Sequence, residues 1–140
     1  MVAVPLPCAY RGPMLANRSV EVDAFMDALD HPMAGHVQRI RLAILDREPQ
    51  LVERIKWRAP SLAVDDVDRV TFHLRPTDRV SLILHRGVRP VDDATPFRFD
   101  DPSGLLSMIT DERGQVVLAA PDVDERLDDL LRLVHDWVRA

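Results

Sequence analysis

The chain has 140 residues, 46% of them apolar, 29% charged and 5% aromatic, with a formal net charge of −5. That length fits one domain, and the composition excludes bulk disorder and points to a soluble globular core of mostly Leu, Val and Ile. Net acidity argues against nucleic acid, because phosphate backbones are bound chiefly by excess Lys and Arg. No run approaches the roughly 20 apolar residues of a membrane helix, and the start Met1-Val2-Ala3-Val4-Pro5 lacks a signal-peptide pattern, so a cytoplasmic protein with no membrane contact is expected. The one cysteine, Cys8, cannot make an intrachain disulfide.

Residues 1–17 hold Pro5, Pro7, Gly12 and Pro13 without any sustained period and are expected to form a mobile tail, leaving 18–140 as a single α+β domain. From Ser19, a candidate N-cap, Val22, Phe25, Met26 and Leu29 recur at helical spacing as far as His31-Pro32. Met33, Val37, Ile40 and Ile44 continue the helical period to Pro49, so the two segments predict a helix hairpin. From Leu51 the period changes to two: Leu51, Ile55 and Trp57 alternate with Arg54, Lys56 and Arg58, as in a half-buried strand, with Glu53 an anomaly on its apolar side.

Residues 70–75 and 79–85 are the clearest strands, joined by Pro76-Thr77-Asp78. Only one register puts all their apolar side chains on one face: Val70 opposite Leu84, Phe72 opposite Leu82 and Leu74 opposite Val80, which also sets His73 opposite Ser81. The segment from Gly87 to Ser103 is an irregular crossover. Residues 105–109 and 115–119 flank a turn with Gly114 expected at a left-handed position. Asp122 and Glu125 read as a capping pair opening a last helix with the stripe Val123, Leu127, Leu130, Leu131, Val134 and Val138. The sum is an antiparallel sheet of about five strands, an N-terminal helix hairpin and a C-terminal helix.

The run Ile55-Lys56-Trp57-Arg58-Ala59-Pro60-Ser61-Leu62, followed by the apolar strand Ser81–His85 running to Gly87, resembles the YdhG-like family of small bacterial domains (domain of unknown function 1801). Ile55, Trp57, Pro60, Ser61 and Leu62 match its motif, whereas Arg58 stands where a glycine is common. The resemblance implies an α+β domain with an antiparallel sheet. Through a relative it also implies a frataxin-like, non-enzymatic role as an iron chaperone, although no metal-ligand set carries over.

Three constellations bear on function. Asp23, Asp27 and Asp30, at spacings of four and three, place three carboxylates on one helix face, where oxygen ligands could hold a hard cation such as ferrous iron weakly; the alternative is a solvated polar face. No other metal or cofactor is implied. The polar side of the sheet should gather Arg54, Lys56, Arg58, Arg69, Arg75 and Arg79 with Thr71, His73 and Ser81, a cationic face for a small anion or an acidic protein segment. Trp57 either walls a pocket opened by a turn at Pro60 or, as the commoner role, anchors the core. Ligand-binding candidates are therefore Trp57, Pro60, Arg54, Lys56 and His73. No catalytic residues are assigned: Ser81 across from His73 is the one pairing of nucleophile and base, with no accompanying motif. Two roles follow, an iron or metal carrier on the first helix and, alternatively, a binding module on the sheet.

Overall fold

A computed structural model describes residues 15–87 and 99–140. Among these residues two helices, α1 (Val20–Ala28) and α2 (Ala34–Arg47), precede four strands, β1 (Val52–Lys56), β2 (Ala59–Val64), β3 (Val67–His73) and β4 (Val80–His85). Strands β5 (Leu106–Thr110) and β6 (Arg113–Leu118) follow, and the chain closes with helices α3 (Ala120–Glu125) and α4 (Leu127–Trp137). All pairs are antiparallel in a six-stranded sheet of order β1-β2-β3-β4-β6-β5. The class is α+β, as the sequence predicts. Cys8, the first fourteen residues of the expected tail and most of the expected crossover lie outside the described residues.

The added strand is β2. Its residues Ala59-Pro60-Ser61-Leu62 lack β-branched side chains and include a proline, which ordinarily demotes a segment from a sheet interior. Here Pro60 pairs with Ile55 of β1, while the recorded ladder to β3 begins one residue later, at Ser61 opposite Thr71, so the missing N–H falls where that ladder ends. The turns on either side of β2 also carry no glycine or asparagine. Trp57-Arg58 and Asp65-Asp66 all have positive φ, between 50° and 67°, which is the left-handed pair that a two-residue hairpin requires.

The β3–β4 register is the predicted one, with Val70 opposite Leu84, Phe72 opposite Leu82 and His73 opposite Ser81. The helices cover the face that carries Leu62, Val70, Phe72, Leu82, Leu84 and Val116, and Ile40, Ile44, Leu130, Val134 and Trp137 complete this core. Trp137, fully buried, is its largest side chain; Trp57, the expected anchor, is 65% exposed. The indole of Trp137 donates to the carbonyl of His85 at 2.8 Å, tying the last helix to the end of β4.

Other differences have local causes. Gly114 lies inside β6 opposite Leu84, with no positive φ, and an added Cβ there would stand 2.4 Å from Leu106. It is glycine for close approach and not for a turn. The last helix breaks at Arg126, and Asp122 sits within the first turn of α3 without making a side-chain cap. Residues 15–17 are docked: the Asn17 amide donates to the carbonyls of Leu45, Glu48 and Leu51 at 3.0–3.2 Å, closing the end of α2.

Glu53 is resolved as well. Its carboxylate is buried and accepts from Arg41 of α2, itself fully buried, and from the backbone N–H of Ser19 at 2.6 Å. One ion pair thus joins α1, α2 and β1. Removing Glu53 leaves the buried Arg41 with the half-buried Asp23 as its remaining counter-charge, so Glu53→Leu is expected to cost roughly 3–5 kcal/mol in urea unfolding, and adding Arg41→Met should recover much of it. Equal losses in the single and double variants would show that the pair is not the source.

Candidate functional site: a cleft on the open face of the sheet

The helices leave the opposite sheet face uncovered by any described helix, and the shape of that face is decided by one irregularity in β3. Leu62 faces Val70, but Ala63 faces Asp68, so Arg69 is an extra residue, a β-bulge. Uninterrupted alternation would place Arg69 beside Thr71 on the open face. The bulge instead places Asp68 there, next to Ser61, and frees Arg69 to donate to the carbonyls of His85, Trp137 and Val138 at 2.9–3.2 Å. Arg69 therefore closes the C-terminal end of α4 and is not part of a cationic face.

Asp68 organises what remains. Arg54 reaches both of its oxygens at 3.0 Å, Lys56 Nζ lies 2.6 Å from Oδ2, and the Ser61 hydroxyl donates to Oδ1 at 2.7 Å. Burial would raise its pKa, but hydrogen bonds from Arg54, Lys56 and Ser61, together with the charge of Arg54, hold it far below the usual carboxylate range. Asp68 is therefore an anion at any physiological pH. Arg54 also bonds Asp66, so the first two predicted cations are neutralised in place.

The other predicted cations do not converge. Arg58 is exposed in the β1–β2 turn, and Arg75 and Arg79 are exposed around the β3–β4 connection, where Arg79 pairs with Asp78 at 3.5 Å. The six-residue cationic face is thus not formed, because its members divide among a carboxylate hub, a helix end and two turns. His73 is exposed opposite Ser81 and does not line the cleft described below. Ser81 is buried and accepts from Gln115 at 3.1 Å. Pro60 is buried within β2 and does not line the cleft described below.

The first helix divides its carboxylates too. Asp23 accepts from Arg18 at 2.7 Å and Arg41 at 2.8 Å, while Asp27 and Asp30 are exposed. Among the described residues, no group of three or more His, Cys, Asp and Glu side chains is gathered as an ion site.

What the sheet does build is a cleft of about 520 Å³ whose lining includes Lys56, Trp57, Asp68, His85, Arg86 and Arg113. Trp57 stands at its rim. Its ring centroid is 5.9 Å from that of His85, at an interplanar angle of 58°, and Lys56 Nζ lies 5.2 Å from the indole centroid, within cation–π range. Burial first, and the charge of Arg113 second, lower the His85 pKa below its ordinary 6.5, so the imidazole is neutral at pH 7. Of the sequence-predicted ligand residues, Trp57 and Lys56 line this cleft. Nothing in the sequence marks Asp68, Ser61 and His85 as members of one site, because the bulge that unites them has no compositional marker; the acidic pair between Val64 and Val67 is the one hint of a further hairpin.

Comparison of the chain with family models, curated proteins and solved structures finds no match. No helix among the described residues is long and apolar enough to cross a membrane.

Two outcomes follow from this geometry. A left-handed conformation costs an L-residue roughly 1–2 kcal/mol, so Arg58→Gly should raise stability by about 1 kcal/mol in urea unfolding; a loss would show that the Arg58 side chain stabilises the turn. Because the folded-state pKa of Asp68 is depressed, its contribution to stability is present above the unfolded value near 3.8 and is lost as pH falls through the folded value. Asp68→Asn is therefore expected to flatten the stability–pH curve below about pH 4, relative to the parent protein. Parallel curves would disprove that assignment.

Proposed function

We propose that this protein is a non-enzymatic binding module whose cleft takes a small anion carrying a flat ring. The observation that carries the proposal is Trp57. It is held in a left-handed turn conformation that favours asparagine or glycine, and, being 65% exposed, it leaves most of its surface out of the core. Neither feature serves stability. Both serve a platform for a ligand ring beside His85, since an aromatic face binds another ring by stacking. Three cations against two carboxylates, Lys56, Arg86 and Arg113 against Asp68 and Glu112, line the cleft and favour a negative ligand in an otherwise acidic protein.

The iron-carrier role is supported less by this geometry. Asp23 is already occupied by two arginines, which leaves Asp27 and Asp30 as the two free carboxylates of the predicted three. Kinship with the YdhG-like family is likewise proposed on the Ile55–Leu62 motif, and the support for it is that this segment forms the β1–β2 hairpin bearing the cleft's tryptophan.

The test is a chemical-shift titration with 4-hydroxybenzoate. Binding with a Kd of about 1 mM or tighter is expected, with shifts at the Trp57 indole, His85 and Arg113. Trp57→Asn should stabilise the fold by relieving the turn while weakening binding at least about tenfold. No footprint on the cleft, or undiminished binding by the Asn variant, would remove the proposal.

A further inference from the structure

A chain of hydroxyl groups runs beneath the cleft and leaves its protons no choice. Ser61 Oγ lies 2.7 Å from Asp68 Oδ1 and 2.7 Å from Thr71 Oγ1, and Thr71 Oγ1 lies 3.2 Å from His85 Nε2. Ser61 and Thr71 are both buried. A hydroxyl has one proton to give, and an ionised carboxylate can only accept. Asp68 is ionised, so Ser61 must donate to it; without that proton, lone pairs would meet at 2.7 Å in a dry site. Ser61 must then accept from Thr71, by the same argument. Thr71, its proton spent, can only accept from His85, so the His85 proton is on Nε2.

We infer that the Asp68–Ser61–Thr71 chain fixes His85 as the Nε2–H tautomer, leaving Nδ1 as a hydrogen-bond acceptor in the cleft, so that the cleft selects ligands carrying an N–H or O–H donor. No described residue hydrogen-bonds Nδ1. The ring itself lines the cleft beside Trp57, so a ring stacked on the indole brings its edge groups toward the imidazole. Among the charged groups around His85, Arg113, Lys56 and Arg69 oppose protonation and Asp68 favours it, and with burial the balance lies with the neutral ring. The ligand class is therefore narrower than a flat anion: a hydroxylated aromatic acid or an acidic heterocycle with a ring N–H. Ser61, Thr71 and Asp68 are positioning residues, acting through His85.

This selection rests on the binding proposal, but the tautomer does not. Long-range proton–nitrogen correlation on the ligand-free protein should show His85 as a single Nε2–H tautomer, and Thr71→Val, which removes the acceptor without changing side-chain size, should give a mixture. An Nδ1–H tautomer or a mixture in the parent protein would overturn the inference. For selection, 4-hydroxybenzoate should bind about 2–10-fold more tightly than 4-methoxybenzoate, the gain from one net hydrogen bond, and His85→Phe should erase the difference. Equal affinities in the parent protein would overturn donor selection while leaving the binding module intact. Binding of neither compound would overturn the module and the selection together, with the tautomer still judged by the ligand-free spectrum. Should Thr71→Val fail to fold, Ser61→Ala supplies the second variant: it breaks the chain one link earlier, frees the Thr71 proton, and should also give a mixture.

Discussion

The extra residue in β3 is the constraint on which both sides of the sheet depend. Because Arg69 is bulged, Asp68 points to the open face and Arg69 reaches the end of the last helix, so one backbone irregularity supplies an anionic hub above the sheet and a cationic clasp at its edge. Without the bulge the two side chains would exchange faces. A buried carboxylate would then sit among apolar side chains, and the carbonyls of Trp137 and Val138 would lose their donors. Either consequence costs more than the single unpaired position that the bulge introduces.

Asp68 then sets the chemistry of the cleft by being fully satisfied. Four donor atoms from Arg54, Lys56 and Ser61 leave it little capacity for a ligand, so it works as an organiser and not as a contact. Its influence passes outward in two directions. Through Lys56 it holds an ammonium near the exposed indole of Trp57, and through Ser61 and Thr71 it orders the proton of His85. The cleft therefore owes its polarity to a group that the ligand need not touch.

The helix side follows a parallel logic at Arg41 and Glu53. A charged pair in a core is costly unless its remaining donors and acceptors are used, and here Gln38, Asp23 and the N–H of Ser19 use them. Asp23 is thereby drawn into structure. What looks on a helical wheel like one carboxylate of a metal-binding stripe is part of the joint between α1, α2 and β1.

Much of the frame was legible in the chain itself. Two-residue alternation fixed the β3–β4 register, and helical spacing placed α1, α2 and the last helical segment, because burial of one face leaves a periodic trace. Glu53 was visible as an anomaly but not explicable, since its partner lies twelve residues away on a helix. The β2 strand, the left-handed turns at Trp57-Arg58 and Asp65-Asp66, and the bulge at Arg69 were decided by tertiary structure alone. Each violates a local preference that neighbouring strands overrule, and no periodicity records an inserted residue. For that reason the sequence identified Trp57, Arg54 and Lys56 as residues of interest, whereas only the folded sheet could bring Asp68, Thr71 and His85 to them.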